Sequence, residues 1–206
     1  RHGLALYVNR GNTFVPAREF CQQISGFLDL TRDEVEDVVE DMALVGDLQL
    51  STLAGTEVLY FYGYYRTECQ VAGKIARMAE NTPKPVGANI SAVISKAESQ
   101  SGIKLTQSQR EAVEKSLGHS VSIITGGPGT GKTTIINTLI KIMEQSGLDV
   151  AVAAPTGRAA KRITQTSGKG AMTVHRLLEY YYDEEARHMA FGRNQDNPLD
   201  YGAVII

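Results

Sequence analysis

The hydrophobic pattern along the chain changes character near residue 105. Before that point, apolar residues recur every three or four positions, which predicts helices with one buried face. After it, short apolar runs alternate with helical stretches, which is typical of an α/β domain with a parallel sheet. The predicted elements are helices over 16–28, 31–45, 65–80, 88–101 and 135–146, a hairpin over 47–62, buried strands over 121–125, 148–154 and 201–206, and an exposed loop or loose hairpin over 183–198.

The first 80 residues predict a compact unit of helices with a small hairpin. Thr31 and Glu34 have the spacing of a capping box, which opens the second helix, and Gly46 ends that helix. Two short runs on either side of Gly55 predict the strands of the hairpin. The order of helix, helix and hairpin resembles a winged-helix arrangement, a unit that contacts either DNA or protein.

The second helix of this unit carries a strongly acidic surface. Its charged residues are Arg32 and the acids Asp33, Glu34, Glu36, Asp37, Glu40 and Asp41. Phosphate would be repelled by such a face, so we expect residues 1–80 to dock a protein rather than DNA. The tyrosines at 60, 62, 64 and 65 offer stacking surfaces for bases, but tyrosine also favours strands, so places in the hairpin and core are preferred.

A short polar segment separates the two patterns. Residues 81–87 include Pro83, Pro85 and Gly87, a composition typical of a linker. The sequence therefore predicts a mainly helical, winged-helix-like accessory domain at 1–82, a linker and adaptor helix at 83–104, and an α/β domain at 105–206. Because the chain starts at Arg1 and stops in an apolar strand, we expect a fragment of a longer protein.

The most specific motif is a glycine-rich loop at 126–134, which reads Gly-Gly-Pro-Gly-Thr-Gly-Lys-Thr-Thr. It fits the phosphate-loop pattern, with Gly126, Gly131, Lys132 and Thr133 at the fixed places. A predicted strand precedes the loop and a predicted helix follows it, which is the context that the motif requires. The alternative is a glycine-rich turn that binds nothing, and the flanking elements argue against it.

Such a loop binds the phosphates of a nucleoside triphosphate. Glycines allow successive backbone N–H groups to curl around an anion, and the following helix points its positive end at the same place. Lys132 adds a cation for the outer phosphates, and the Thr133 hydroxyl is a ligand for magnesium. The motif does not indicate what the energy of the triphosphate is used for.

Composition and charge narrow the range of functions. The 206 residues are 42% hydrophobic and 21% charged, as in ordinary globular proteins, and the net charge of −2 leaves any nucleic acid to a local surface. Cys21 and Cys69 lie far apart in no metal-ligand spacing, which indicates a reduced, cytoplasmic protein without a disulfide framework. No apolar stretch has the length of a membrane span, and no signal peptide is visible.

Three further segments carry candidate binding residues. Gln109 forms a second capping box with Thr106, and its amide offers both the donor and the acceptor that pair with adenine. Residues 154–162 leave a strand and enter a helix with Arg158, and such strand ends bind ligands in α/β sheets. His175 begins another predicted helix. The plain alternatives for these features are a helix cap, a solvated basic face and a packed histidine.

Taken together, five sequence blocks resemble the RecD-like branch of the superfamily 1 DNA helicases, which moves 5′ to 3′. The blocks are LTQSQREAV, GGPGTGKTT, APTGRAAKR, TVHRLLEY and FGRNQDNPL. The resemblance covers residues 105–206 closely and residues 1–104 more loosely. It implies a RecA-like P-loop motor domain at 105–206, in which the acidic pair of the family is expected to follow Ile206.

The resemblance also implies roles for individual residues. ATP and Mg²⁺ would be held by Gln109, Gly127, Pro128, Gly129, Thr130, Gly131, Lys132, Thr133 and Thr134, with Lys132 and Thr133 catalytic and Thr133 the magnesium ligand. Single-stranded DNA would be contacted by Thr156, Gly157, Arg158, Thr173 and His175.

These roles predict the amino-terminal part of an ATP-dependent 5′-to-3′ DNA helicase that acts in DNA repair or recombination, with repair proteins docking on residues 1–80. The fragment alone is expected to bind nucleotide weakly and to self-associate through an exposed sheet edge. Two alternatives stay open. One is a P-loop NTPase of another kind, and the other is a non-enzymatic interaction module in residues 1–80.

Overall fold

The computed structural model describes residues 1–87 and 89–206. The chain forms two compact units, Arg1–Arg77 and Met78–Ile206. Ala88, where the predicted adaptor helix begins, lies outside the described residues.

The first unit combines helices with a three-stranded sheet. Its elements are α1 (His2–Asn9), β1 (Phe14–Pro16), α2 (Ala17–Leu28), α3 (Arg32–Leu44), β2 (Leu48–Leu53), β3 (Thr56–Phe61) and α4 (Tyr62–Glu80). The antiparallel sheet has the order β1–β3–β2. A helix, a strand, two helices and a hairpin make a winged-helix topology, so the predicted arrangement is confirmed. The sequence pattern does not predict α1 or β1.

Local hydrogen bonds set the ends of these elements, and one apolar core joins them. The Glu34 N–H donates to the Thr31 hydroxyl at 3.3 Å, and the Thr31 N–H donates to the Glu34 carboxylate at 2.8 Å, so the predicted capping box forms. The hairpin turns at Ala54 and Gly55, both with positive φ. The core draws on α1, α2, α3 and the sheet, with Leu4, Val15, Phe20, Val35 and Leu59 buried.

The tyrosines of the first unit divide between core and surface. Tyr60 is 2% exposed, and burial together with its hydrogen bond to Glu68 raises the pKa of Tyr60 to about 12. Tyr62 and Tyr64 lie at the start of α4 and are 44% and 42% exposed. The predicted place in the hairpin and core is therefore confirmed for Tyr60 and wrong for Tyr62 and Tyr64, while Tyr65 is half-buried on α4 with its ring centroid 5.5 Å from that of Tyr60.

The second unit is an α/β domain with a parallel sheet, which confirms the predicted fold class of a partial RecA-like P-loop domain. Its elements are α5 (Ile90–Ser101), α6 (Gln107–Gly118), α7 (Lys132–Gln145), β4 (Val150–Ala154), α8 (Gly157–Ser167), β5 (Ala171–Thr173), α9 (Val174–Leu177), β6 (Tyr180–Asp183), β7 (His188–Phe191) and β8 (Ala203–Ile205). The parallel strands have the order β5–β4–β8, and β6 and β7 form a separate hairpin.

The predicted strand over 121–125 is wrong. Residues 122–127 have no regular secondary structure, and Ile123 is 86% exposed. A cavity of about 360 Å³ is lined by Ser122 and Ile124 of this segment and by residues 203–206, which include β8. Within the described residues, β8 pairs only with β4, so the segment before the loop finds no strand to pair with. β8 is also not the buried strand that the sequence predicts, because no further strand of the described chain lies beside it and Val204 is 42% exposed.

One apolar core joins α5, α6 and α7. Ile94, Val113 and Ile142 are each 0% exposed within it. Val86 from the proline-containing segment is also buried in this core, and the Ser146 hydroxyl donates to the Val86 carbonyl at 2.8 Å. The chain just ahead of α5 therefore packs along the second unit.

Candidate functional site

The glycine-rich loop adopts the backbone conformations that its sequence requires. Gly129 and Gly131 have φ of +78° and +83°, in the left-handed region that favours glycine. A Cβ atom at Gly126 would lie 2.8 Å from the Thr130 hydroxyl oxygen, and that hydroxyl donates to the Gly127 carbonyl at 2.9 Å. The loop therefore folds tightly on itself ahead of α7.

The helix after the loop begins without a side-chain cap. Gly131 is the residue before α7, and no side chain accepts from the first turn of that helix. In the second unit, α5, α6, α8 and α9 each begin with a threonine or asparagine side chain that accepts from their first turn, whereas α7, like α1 and α2 in the first unit, has no such cap. The first N–H groups of α7 and the positive end of its dipole are therefore left for an anion, which is the arrangement that binds phosphate.

The Lys132 ammonium group lies over this loop. Its Nζ donates to the carbonyls of Gly126 and Gly127 at 2.6 and 2.8 Å. Phosphate oxygens are charged and make stronger hydrogen bonds than carbonyls, so they can replace these two acceptors. Thr133 is exposed in the first turn of α7, beside the half-buried Thr134. Pro128 is exposed in the turn of the loop. These donors and the threonine hydroxyl fit a triphosphate with magnesium.

Gln109 contacts the loop from the first turn of α6. Its Oε1 accepts from the Thr106 N–H at 3.0 Å, and its Nε2 donates to the Thr130 carbonyl at 3.0 Å. A Cβ atom at Gly131 would lie 2.3 Å from that Nε2. The amide is therefore both a helix cap and a contact of the phosphate loop. The structure thus brings together all the residues predicted for nucleotide binding.

Two of the predicted DNA-contacting threonines lie at one edge of the parallel sheet. Thr173 is paired in register with Ala154, the last residue of β4, and Thr156 follows two positions later. The Thr156 hydroxyl accepts from the Ala159 N–H at 3.3 Å and the Thr173 hydroxyl accepts from the Arg176 N–H at 3.2 Å. Two helices, α8 and α9, therefore begin side by side at the carboxyl ends of their strands, the edge where α/β sheets bind ligands.

The helix that begins near Thr156 and Gly157 carries a basic face. Arg158, Lys161 and Arg162 are all exposed and are spaced so that they share one side of α8. None of the three forms an ion pair within residues 1–87 and 89–206. Their charge is therefore uncompensated by a carboxylate of the described chain, which suits a polyanion.

His175 belongs to an aromatic cluster rather than to a polar network. Its ring centroid lies 5.0 Å from that of Tyr180 on β6 and 6.2 Å from that of Phe191 on β7, and the two latter rings are 4.8 Å apart. Tyr180 and Phe191 are 41% and 42% exposed. Neither ring is among the candidate residues predicted from the sequence, although the run of three tyrosines at 180–182 is a signal for an aromatic surface.

The described residues contain neither a cluster of metal ligands nor a helix that could span a membrane. Within 1–87 and 89–206, no three histidine, cysteine, aspartate or glutamate side chains come together as metal ligands. None of the helices described is both long and apolar enough to cross a membrane. Cys21 is buried, Cys69 is exposed, and both are free thiols.

Comparison with known proteins identifies relatives of the chain. A family model described as an AAA domain matches residues 109–206. Over 205 residues, 95% of the chain, the sequence is 27% identical to the ATP-dependent RecD2 DNA helicase of Deinococcus radiodurans. Over 186 residues, 79% of the chain, it is 27% identical to the RecBCD enzyme subunit RecD of Mycolicibacterium smegmatis. Over 82 residues, 36% of the chain, it is 37% identical to the ATP-dependent DNA helicase dda of Enterobacteria phage T4.

These relatives are much longer than the chain. The matched region spans 27% of the Deinococcus protein, 31% of the Mycolicibacterium protein and 18% of the phage protein. The Deinococcus match covers both units of the chain, whereas the AAA domain match begins at Gln109 in the second unit.

Proposed function

We propose that this chain, which belongs to the RecD-like helicase family, provides the ATP site and part of the DNA path of a longer ATP-dependent DNA helicase. The helicase would move 5′ to 3′ on single-stranded DNA and act in DNA repair or recombination. The observation that carries this proposal is the uncapped start of α7 beside Lys132, in the same unit as the sheet edge where Thr156 and Thr173 cap two helices.

The ATP site is assigned to the phosphate loop and Gln109. In this proposal, the backbone N–H groups of Gly127 and of residues 129–134 bind the phosphates, Pro128 shapes the turn without donating, and Lys132 exchanges its two carbonyl acceptors for the outer phosphates. Thr133 is the magnesium ligand, and bound magnesium neutralises charge on the phosphates. Lys132 and Thr133 are thus the catalytic residues that this chain supplies. The amide of Gln109 pairs with the adenine edge in place of its present acceptor and donor.

The DNA path is assigned to the carboxyl edge of the parallel sheet. Because the Thr156 hydroxyl is already engaged as the cap of α8, the remaining first N–H groups of that helix are the donors left for a backbone phosphate, and Thr173, which caps the single turn of α9, lies at the same sheet edge. Gly157 leaves that approach open, and Arg158 adds positive charge next to it. His175, with the exposed rings around it, offers a stacking surface for a base.

The first unit is assigned a protein-docking role. The surface of α3 exposes Asp33, Glu34, Asp37, Glu40 and Asp41, while Arg32 is paired with Glu36 on the same helix. Phosphate would be repelled by this surface, and a basic surface of a repair protein would be attracted to it. An interaction role for residues 1–80 is therefore part of the proposal rather than a rival to it.

The test uses the full-length protein and its ATP hydrolysis rate. We expect single-stranded DNA to stimulate hydrolysis and Lys132→Ala to abolish it, since an ammonium group on the transferred phosphate is lost. Lys141→Ala is the matched control, because it removes a lysine from the same helix away from the loop. A hydrolysis rate that does not respond to DNA would refute the helicase assignment.

A P-loop NTPase of another kind is separated from the helicase by a second pair of variants. In the helicase, Thr156→Ala with Arg158→Ala keeps ATP binding and loses stimulation by DNA. Lys96→Ala, an exposed lysine on α5, is the control for loss of positive charge. Unchanged DNA stimulation in the double variant would favour the other class of NTPase.

A further inference from the structure

The start of α6 is fastened to α5 by one carboxylate. Glu98 Oε1 accepts from the Leu105 N–H at 2.9 Å, and Glu98 Oε2 accepts from Arg110 Nη1 at 2.7 Å. Leu105 lies just ahead of the helix and Arg110 lies in its first turns. The two oxygens therefore grip α6 on both sides of the capping box that contains Gln109.

The guanidinium group of Arg110 is held by further acceptors on the same helix. Its Nη2 donates to the Ser91 carbonyl at 2.8 Å and to the hydroxyls of Ser91 and Ser95 at 2.9 Å each. The side chains of Arg110 and Glu98 are 28% and 17% exposed, so solvent screens this pair less than a surface ion pair. The two hydrogens of Nη2 are shared among these three serine acceptors while Nη1 donates to Glu98, and a planar group held on both nitrogens has a restricted orientation, which sets the position of α6 along α5.

This clamp is adjacent to the residue that contacts the phosphate loop. Gln109 precedes Arg110 in the chain, and its amide reaches the Thr130 carbonyl across 21 positions of sequence. The amide also lies against Gly131, where a Cβ atom would lie only 2.3 Å from Gln109 Nε2. A small displacement of the α6 start would therefore move the Gln109 amide relative to the loop, while the loop and α7 keep their own hydrogen bonds.

We propose that Glu98 and Arg110 are positioning residues for base recognition, which makes α5 a working part of the nucleotide site. The clamp holds the start of α6, and with it the backbone of Gln109, beside the loop, so that the amide can turn from the Thr106 N–H and the Thr130 carbonyl to the base of a bound nucleotide. This inference rests on the proposed ATP site. It adds that the preference for adenine depends on α5, whereas the grip on the phosphates does not.

The experiment measures binding by titration calorimetry on the full-length protein with three probes. ATP reports base and phosphates together, inosine triphosphate replaces the adenine amino group with oxygen, and inorganic tripolyphosphate has no base. The variants are Glu98→Gln, Arg110→Lys and Gln109→Ala. Glu114→Gln, an exposed acid further along α6, is the matched control.

We expect Glu98→Gln to weaken ATP binding by up to about tenfold, the loss in affinity that corresponds to a hydrogen bond between Gln109 and the base. Its preference for ATP over inosine triphosphate should fall to that of Gln109→Ala, and tripolyphosphate binding should stay unchanged. Arg110→Lys keeps the charge but cannot reach the two serines, so we expect a smaller loss of preference. Adding Glu98→Gln to Gln109→Ala should cause no further loss.

Two results would overturn the inference. In one, Glu98→Gln keeps the wild-type preference for ATP over inosine triphosphate. In the other, it weakens ATP and tripolyphosphate equally, which indicates a general loss of structure. If Glu98→Gln does not fold, Arg110→Lys decides by the same two criteria. Failure of the wild-type protein to bind ATP would instead refute the proposed function, so the two failures are distinguishable.

Discussion

Replacing Gly131 with alanine tests the link between the phosphate loop and α6. Gly131 has a φ of +83°, and a Cβ atom there would lie 2.3 Å from Gln109 Nε2. Two separate costs therefore follow from one methyl group. The first is backbone strain in the left-handed region, and the second is displacement of the Gln109 amide from the Thr130 carbonyl.

The two costs have similar sizes. The left-handed conformation costs an alanine about 1 kcal/mol relative to glycine. A lost hydrogen bond of this exposed kind costs about 1 kcal/mol, and the Gln109 side chain is flexible enough to move aside without further strain. Gly131→Ala should therefore lower the free energy of unfolding of the second unit by about 2 kcal/mol. In a chain that already carries Gln109→Ala, only the backbone cost of about 1 kcal/mol should remain.

Hydrogen exchange provides the assay. The amides of β4 are buried, and their exchange at equilibrium reports the free energy of opening of the surrounding unit. We would measure the wild type, the two single variants and the double variant, which gives a coupling energy of about 1 kcal/mol. Gly129→Ala is the control, because its φ is +78° but nothing lies within 4 Å of its Cβ position. A coupling energy near zero would show that Gln109 and the loop are not in contact.

Acid should destabilise the first unit through Glu34, whose pKa is lowered because its carboxylate accepts hydrogen bonds from the Thr31 side chain and backbone. The lowered pKa stabilises the folded unit at pH values above the ordinary carboxyl pKa of 4.5, and this contribution disappears as the pH falls. In urea unfolding, Glu34→Gln should therefore lose less stability on acidification than the wild type or Glu40→Gln. Equal acid losses would contradict this. A maleimide should label the exposed Cys69 in the native protein. It should label Cys21 only after denaturant is added, because Cys21 is 2% exposed and burial raises the pKa of its thiol. Rapid labelling of both cysteines in the native protein would argue against the fold of the first unit. Light scattering should show self-association that Val204→Lys reduces, because β8 has a partly exposed edge; a monodisperse monomer at high concentration would exclude it.

The sequence predicts best the features that local hydrogen bonds determine. The capping boxes at Thr31 and Thr106 form as their spacing indicates, whereas α7, which has no such cap, begins at Lys132, three residues before the predicted start at 135. In both capping boxes the donor and the acceptor lie within a few residues of each other, so a short motif contains the whole interaction. Such motifs fix where a helix begins without knowledge of its neighbours.

Features that depend on distant partners are predicted poorly. The apolar run at 121–125 predicts a strand, but a strand also needs a neighbouring strand to pair with, and the local sequence does not show whether one is present. β5 has only three residues and exists because Val152, Ala153 and Ala154 pair with it. The contact of Gln109 with Thr130 and the grip of Glu98 on α6 likewise join parts of the chain that are far apart in sequence.

The packing of residues 81–87 decides where the chain can be cut. Val86 fills part of the core around Ile94, and the carbonyls of Val86 and Asn81 each accept from a serine hydroxyl, on Ser146 and Ser120. A truncated protein that starts after Gly87 would open a hole in that core and strip both hydroxyls of their acceptors. A start before Asn81 would preserve them. Despite its prolines, this stretch belongs to the second unit and should be kept in any shortened form of it.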